Sequence, residues 1–323
     1  MSLLKVSAPP HISTKNDTNV IMLDVIIALM PAMLVGAYVF GYRAVLVVAT
    51  CTIFAVLFEY LWTKLMKLPT TIGDLSAVVS GVLLGFNLPP TAPLWMCAAG
   101  SFFMMIIVKA FFGGLGQNFV NPALAARVFL MASWPTRMIA FAEPFSKIPL
   151  ISKIDAVTSP TALSIVKNGL EGDIPTNMQL FLGNVSGCIG EVSALALLIG
   201  FLYLLVRKVI SWRIPVVFIG VTGLLSYAFG GSEGLFTGDF LFSILSGSLF
   251  LGAIFMATDY TTSPVTKLGQ YIYAIGCGAM VFIIRKWGGY PEGVSYAILL
   301  MNVATPLIDK ITPPKKFGRR KAQ

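Results

Sequence analysis

"NVIMLDVIIALMPAMLVGAYVF", residues 19–40, carries a single charged side chain, Asp24. As a helix rising about 1.5 Å per residue, it is long enough to cross the roughly 30 Å hydrocarbon core of a bilayer. Apolar runs of 15–22 residues recur along the rest of the chain. Of the 323 residues, 56% are hydrophobic and 11% charged, with a mean hydropathy of +0.83. Soluble domains average about 25% charged residues, so an ordinary globular core is excluded. Helices and closed barrels are the architectures that satisfy every backbone polar group in lipid, and these runs lack the alternation of barrel strands. The expected class is an all-α polytopic membrane protein.

Ten spans are predicted, near residues 20–40, 43–63, 74–88, 93–112, 121–132, 186–206, 213–230, 239–257, 267–284 and 291–308. Residues 1–19 hold Pro9, Pro10, His11 and Asn16 and show no cleavable leader pattern, so the first span is expected to direct insertion. His11 is expected to be an ordinary exposed side chain. Cys51, Cys97, Cys188 and Cys277 are spread one to a span without CxxC spacing, as expected of small apolar packing residues.

The formal charge is +9, and its distribution bears on topology. With a cytoplasmic N-terminus, fifteen lysines and arginines fall in inner segments and seven in outer ones, with Arg127 inside a span. This bias places both termini inside. The tail "PPKKFGRRK", residues 313–321, then reads as a topology anchor on anionic membrane lipid rather than a nucleic-acid site.

The spans divide five and five about residues 133–185. The expected organisation is a cytoplasmic N-terminal segment (1–19), a first five-helix repeat (20–132), an extracytoplasmic loop (133–185), a second five-helix repeat (186–308) and a basic cytoplasmic tail (309–323). An odd number of spans per half reverses the second half, the arrangement of inverted-repeat transporters. "SGVLLG" (80–85) echoes "SGSLFLG" (246–252), and "KAFFGG" (109–114) echoes "RKWGG" (285–289). The loop is too long for a simple connector, and its lysines, arginines and carboxylates balance, so charge does not explain it.

Within the loop lies "DAVTSPTALS", residues 155–164. Ser159 suits an N-cap and Pro160 the first helical position, with Gly169 closing a two-turn helix. Thr161 would then sit in the first turn, where unpaired N–H groups favour an attached anion such as phosphate. The same pattern also describes a plain capped surface helix. A second stretch, "GGLGQNFVNPAL" (113–124), follows no strand and so is not a nucleotide-binding glycine loop. Its glycines permit an irregular turn, and Asn121-Pro122 can start the short fifth span. Interrupted short helices of this kind point to a central binding site.

The segment Asp155-Ala156-Val157-Thr158-Ser159-Pro160-Thr161-Ala162-Leu163 resembles the flavinylation signature D-x-x-[ST]-G-A-T-x-L of the NqrB/RnfD family, which holds membrane subunits of the Nqr and Rnf complexes. Gly113 to Leu124 is similar to that family's G-G-x-G-[QK]-N-x-x-N-P-A element. The resemblance covers essentially the whole chain, and its length places it nearer the RnfD branch. It implies a urea-channel-like fold of two inverted five-helix repeats. It also implies FMN esterified through its phosphate to Thr161 by a flavin transferase. Asp155, Thr158, Ser159, Pro160, Ala162 and Leu163 would serve attachment or the turn. Ser159-Pro160 departs from the usual Gly-Ala, although Pro at a helix N1 position loses no needed donor.

Gly113, Gly114, Gln117, Asn118 and Asn121 would contact a second, non-covalent flavin such as riboflavin, or ions, with a purely structural turn the alternative. The implied role is electron transfer in an ion-translocating ferredoxin:NAD+ oxidoreductase of a prokaryotic cell membrane, coupled to Na+ or H+. Its implied partners are the membrane A, E and G subunits and the peripheral B and C subunits. Trp134, Phe141, Phe145 and Phe181 are candidates for stacking on the flavin. The intramembrane groups Asp24, Glu59, Arg127 and Glu191 are expected to pair internally, Arg127 among them, or with a partner subunit, or to line an ion path. The rival readings are a passive channel or transporter for a small solute and a scaffold subunit whose flavins lie elsewhere.

Overall fold

The computed structural model describes residues 17–146, 159–169, 174–231 and 234–313. Asp155 and Thr158 of the signature, like His11, lie outside the described residues. The described chain is helical, without β-strands. Its elements are α1 (Thr18–Phe40), α2 (Tyr42–Leu65), α3 (Ser76–Phe86), α4 (Leu94–Phe102), α5 (Pro122–Ser133), α6 (Pro135–Met138), α7 (Ala162–Asn168), α8 (Asn177–Leu182), α9 (Ala194–Val206), α10 (Arg213–Phe229), α11 (Phe240–Leu245), α12 (Leu249–Leu251), α13 (Lys267–Trp287) and α14 (Val294–Ile311). α4 and α12 each continue into a wider π-turn segment, Phe103–Ala110 and Gly252–Met256. Such widened turns often mark functional positions.

Among the described residues four helices, α1, α2, α13 and α14, are long and apolar enough to cross a membrane, and α3, α4 with its π extension, α5, α9 and α10 are shorter apolar helices. α2 packs on α3 and α4, and α10 packs on α11 and α13. α1 meets α9, and α5 meets α14. The core runs continuously through both groups. All four cysteines are buried and free, in keeping with a packing role, although Cys188 lies in an irregular stretch rather than on a helix.

Two predicted spans differ in the structure, 186–206 being shortened and 239–257 divided, and the hydrogen bonding gives the reason. α3 ends at Asn87, whose Nδ2 donates to Leu83 O at 2.7 Å, and Leu88-Pro89-Pro90 cannot continue the ladder. The carbonyls left at this break are taken by the other half, with Gly190 N donating to Phe86 O (2.9 Å) and Ile189 N to Leu88 O (3.1 Å). Residues 186–193 are therefore spent as a plug, and α9, the sixth predicted span, begins at Ala194 rather than near 186. Arg43, fully buried at the start of α2, donates to Pro90 O (3.3 Å) and Ala92 O (2.8 Å) and holds the chain beyond the break.

The predicted span 239–257 is divided into α11, α12 and the second π segment. Gly247 turns the chain between α11 and α12 at φ +73, a left-handed conformation that glycine adopts without strain. Arg285 Nη1 and Nη2 donate to Ser243 O (2.6 Å) and Ser246 O (3.0 Å) at the α11 C-terminus. Glu292 Oε1 accepts from Ser248 N (3.3 Å) just before α12. A cation at the C-terminal end and an anion at the N-terminal end complement both helix dipoles.

Close helix contact rests on small residues. Gly81 and Gly85 lie one turn apart on α3, and a Cβ on Gly81 would come within 2.6 Å of Thr52 Cα on α2. Small residues at this spacing let backbones approach in lipid. Replacement of Gly81 by Ala forces α2 and α3 apart and is expected to destabilise the chain by ~1–3 kcal/mol. Thermal unfolding of the detergent-purified protein checks this, with Gly73→Ala, where a Cβ meets nothing, as the neutral control.

Candidate functional site

Arg127 sits on α5 and is 5% exposed. Its Nη1 donates to Asn87 Oδ1 (2.7 Å) and Ser248 Oγ (3.4 Å), touching both helix breaks at once. Its Nη2 donates to Glu292 Oε2 (2.6 Å) and lies 3.7 Å from Cys188 Sγ. Ser248 Oγ also donates to Glu292 Oε2 (3.3 Å). Glu191 completes the group, its Oε1 accepting from Cys188 N at 2.7 Å.

Thr161 lies immediately outside this cluster, 8% exposed. A pocket beside it is walled by Val128, Met131, Ile139, Phe141, Tyr290 and Tyr296, with Arg127 and Glu292 in the same wall. Tyr290 and Tyr296 stack, with ring centroids 5.1 Å apart and planes at 19°. The site thus offers one hydroxyl, flat aromatic surfaces and a guanidinium. That donor set suits a phosphorylated aromatic group fixed through an oxygen.

Thr161 itself, not Ser159, is the N-cap of α7, because its φ of −72° and ψ of 155° are extended and its Oγ1 accepts from Ser164 N at 3.3 Å. Pro160 therefore precedes the helix instead of opening it. Ser159 N donates to Phe141 O (3.0 Å), joining the segment to one pocket wall. Ser159, Pro160 and Ala162 line a separate groove with Glu143, Gln179 and Asn184. Leu163 fills the Gly247 turn, where an added Cβ would lie 2.8 Å from Leu163 Cδ1.

Lys167, in the last turn of α7, donates to Ile284 O (3.0 Å), Gly288 O (2.6 Å) and Tyr290 O (2.7 Å). Partial burial pulls its ammonium below the usual lysine range. One side chain thus pairs three carbonyls where α13 ends and fastens α7 to the second half.

The glycine-rich stretch forms the expected irregular turn, with Gly113, Gly114 and Gly116 all at positive φ. Asn121 is the N-cap of α5, accepting from Ala123 N (3.1 Å) and Leu124 N (3.2 Å), with Pro122 at the first position as read from the sequence. Asn121 Nδ2 also donates to Met256 O (3.3 Å) at the end of the second π segment. Asn118 and Asn121 line a second cavity between the two groups of helices, shared with Lys109, Phe255, Asp259 and Tyr260. Gly113, Gly114 and Gln117 are not in its wall. Burial pushes the Asp259 carboxyl above its usual range, against hydrogen bonds from Thr261, Thr262 and Asn118 that favour the charged form.

Three of the four intramembrane charges pair internally, with partners the sequence did not specify, whereas Glu191 forms no ion pair among the described residues and accepts from Cys188 N. Asp24 meets Arg207 (3.1 Å), Glu59 meets Lys109 (2.8 Å), and Arg127 meets Glu292. Of the four aromatic candidates Phe141 lines the Thr161 pocket, whereas Trp134 packs edge-on against Trp95, Phe145 against Tyr38, and Phe181 against the core. Sequence reasoning missed Tyr290, Glu292 and Tyr296. The one available signal was an acidic residue, Glu292, at the edge of the predicted tenth span.

The fold and site define a polytopic helical membrane protein with a hydroxyl-bearing turn seated over the crossing of the end of α3 with the break between α11 and α12. Residues 5–318 match the NQR2, RnfD, RnfE family, and the chain belongs to that family. It is 53% identical over 317 residues to the D subunit of the Na+-translocating ferredoxin:NAD+ oxidoreductase complex of Acetobacterium woodii, covering 98% of this chain and 95% of that protein. It is 46% identical over 328 residues to the D subunit of the proton-translocating ferredoxin:NAD+ oxidoreductase complex of Clostridium ljungdahlii (99% and 98% covered). Identity to the D subunit of the ion-translocating oxidoreductase complex of Stutzerimonas stutzeri is 38% over 334 residues (94% and 93% covered).

Removing one partner of a buried ion pair strands the other, at a cost of roughly 3–5 kcal/mol. Arg127→Met is therefore expected to lower thermal stability sharply, and Arg127→Met with Glu292→Gln to recover part of the loss. Unfolding curves of the two variants in one detergent give the comparison.

Proposed function

We propose that this chain is the D-type membrane subunit of an ion-translocating ferredoxin:NAD+ oxidoreductase and carries FMN esterified to Thr161. Family membership and near full-length similarity to subunits of that name support the role. The observation that carries the flavin reading is the placement of the Thr161 hydroxyl at a pocket with aromatic walls and a buried guanidinium. When bound, the flavin supplies stepwise acceptance and release of electrons. Thr161 would hold it by its phosphate, Arg127 would offset negative charge, and Phe141 and Tyr296 would shield its ring from water. A covalent link suits a loop facing an open compartment, where a group held by contacts alone is lost whenever it dissociates. Asp155, Thr158, Ser159, Pro160, Ala162 and Leu163 serve the attachment segment, with Leu163 as its plug into the Gly247 turn.

In this reading the halves are inverted repeats of five spans, 20–132 and 186–308. The like packing of α2 with α3 and α4 and of α10 with α11 and α13 supports this. Both termini and the basic tail face the cytoplasm, the loop 133–185 faces outward, and the setting is a prokaryotic cell membrane. The cavity at Asn118 and Asn121 is the place for a second flavin such as riboflavin, with Gly113, Gly114 and Gln117 shaping its turn. The other subunits, membrane A, E and G and peripheral B and C, supply the remaining electron carriers, and a flavin transferase loads Thr161. Coupling is to Na+ or H+, each of which is the translocated ion in the name of one relative. A passive solute channel is less consistent with a helix crossing filled by Arg127 and its partners.

Co-expression with a flavin transferase is expected to give a fluorescent band on a denaturing gel, absent in Thr161→Ala. The tryptic peptide bearing Thr161 should gain the mass of FMN less water. A non-fluorescent wild-type band beside a loaded control substrate removes the flavin reading.

A further inference from the structure

Arg127 neutralises one of two neighbouring carboxyl groups. Glu292 receives Arg127 Nη2 at 2.6 Å, while Glu191, 9% exposed, receives Cys188 N on Oε1. Glu191 Oε2 is buried and meets no donor among the described residues. Besides Cys188, the Glu191 side chain faces the Glu292 carboxyl, itself an acceptor when ionised. Two carboxylates in such contact away from water do not both stay ionised.

Arg127 and Arg285 both act on these carboxyl groups electrostatically, but neither hydrogen-bonds Glu191. From α5, Arg127 directs its second Nη2 contact to Cys188 Sγ, not to Glu191. From α13, Arg285 spends Nη1 and Nη2 on Ser243 O and Ser246 O, and its Nε meets no acceptor among the described residues. Ser248, before α12, directs both its N–H and its hydroxyl to Glu292. A hydrogen on Glu191 Oε2 would turn that unpartnered acceptor into a donor.

We propose that Glu191 and Glu292 share one proton across this contact and form a buried proton-holding site behind the wall of the Thr161 pocket. Glu292 and Arg127 line that pocket, so ionising the pair places an added negative charge next to it. An electron arriving in the pocket is then disfavoured. Resting on the flavin reading above, the pair makes the potential of the Thr161 group sensitive to pH. Glu191 acts through Glu292 and is a positioning residue rather than a catalytic one.

The experiment has two arms, both on the full chain. In the first, infrared spectra of wild type and of Thr161→Ala, which holds no tethered group, are expected to show a protonated carboxyl band at neutral pH. The band should shift on isotopic labelling of glutamate carboxyl groups and disappear in Glu191→Gln. Absence of the band, or its survival unchanged in Glu191→Gln, overturns the shared proton whether or not flavin is attached. If Glu191→Gln does not fold, titration of the glutamate-labelled band decides: displacement of that band by Glu191→Asp supports the proposal and an unmoved band overturns it.

In the second arm, the midpoint potential of the flavin in the loaded protein is followed against pH. Wild type should fall as the pair ionises. Glu191→Gln, whose amide mimics the protonated acid, should stay at the wild-type low-pH value through that interval. Parallel profiles overturn the coupling to the pocket. A chain without flavin at Thr161 fails the functional reading separately, by mass analysis, and leaves the infrared result standing.

Discussion

A guanidinium enclosed within a membrane protein must find acceptors, and Arg127 finds them on both sides of the molecule. Asn87 caps the end of α3, while Ser248 and Glu292 frame the break between α11 and α12. The two interruptions would each leave backbone groups unsatisfied at depth, a cost of several kcal/mol per group in hydrocarbon. They are tolerated because each is filled by other elements: Ile189 and Gly190 pair carbonyls at and just past the end of α3, and Arg285 pairs those ending α11. Irregular backbone, a buried cation and two acidic side chains thus form one unit.

That unit also sets the position of the outer turn. Leu163 rests on Gly247, whose lack of a side chain is what leaves room for it, and Glu292 contacts the same glycine from another direction. The pocket next to Thr161 therefore shares walls with the crossing of the helices. An event in the pocket and a change of charge in the crossing are separated by a single residue layer, Arg127 and Glu292. This is a short physical path between the face of the protein and its interior.

Much of the architecture was legible in the sequence because hydrophobic length is a direct consequence of bilayer thickness. The positions of α1, α2, α13 and α14 followed from that alone. The Asn121-Pro122 start of α5 was equally plain, since cap and proline each act locally. What failed depended on distant partners. Residues 186–193 look apolar enough to be helix, yet the N–H groups of Ile189 and Gly190 belong to carbonyls about a hundred positions earlier. The span 239–257 shows no proline, and its break at Gly247 depends on Arg285 and Glu292, which follow it in the chain. The N-cap is Thr161 rather than Ser159 because Thr161 is the extended residue whose Oγ1 accepts from Ser164 N. At the site, Thr161 was readable through a family motif, whereas Tyr290, Glu292 and Tyr296 carry no local signature and arrive through tertiary packing.

The grip of Lys167 has an implication for the order in which the molecule is made. Its three acceptors, the carbonyls of Ile284, Gly288 and Tyr290, lie 117 to 123 positions further along the chain. While the ribosome is still building that stretch, the turn bearing Thr161 has already been synthesised and has no dock to close upon. The nascent protein therefore passes through an interval in which this hydroxyl is presented without its final walls, and that interval ends when the hairpin between α13 and α14 arrives.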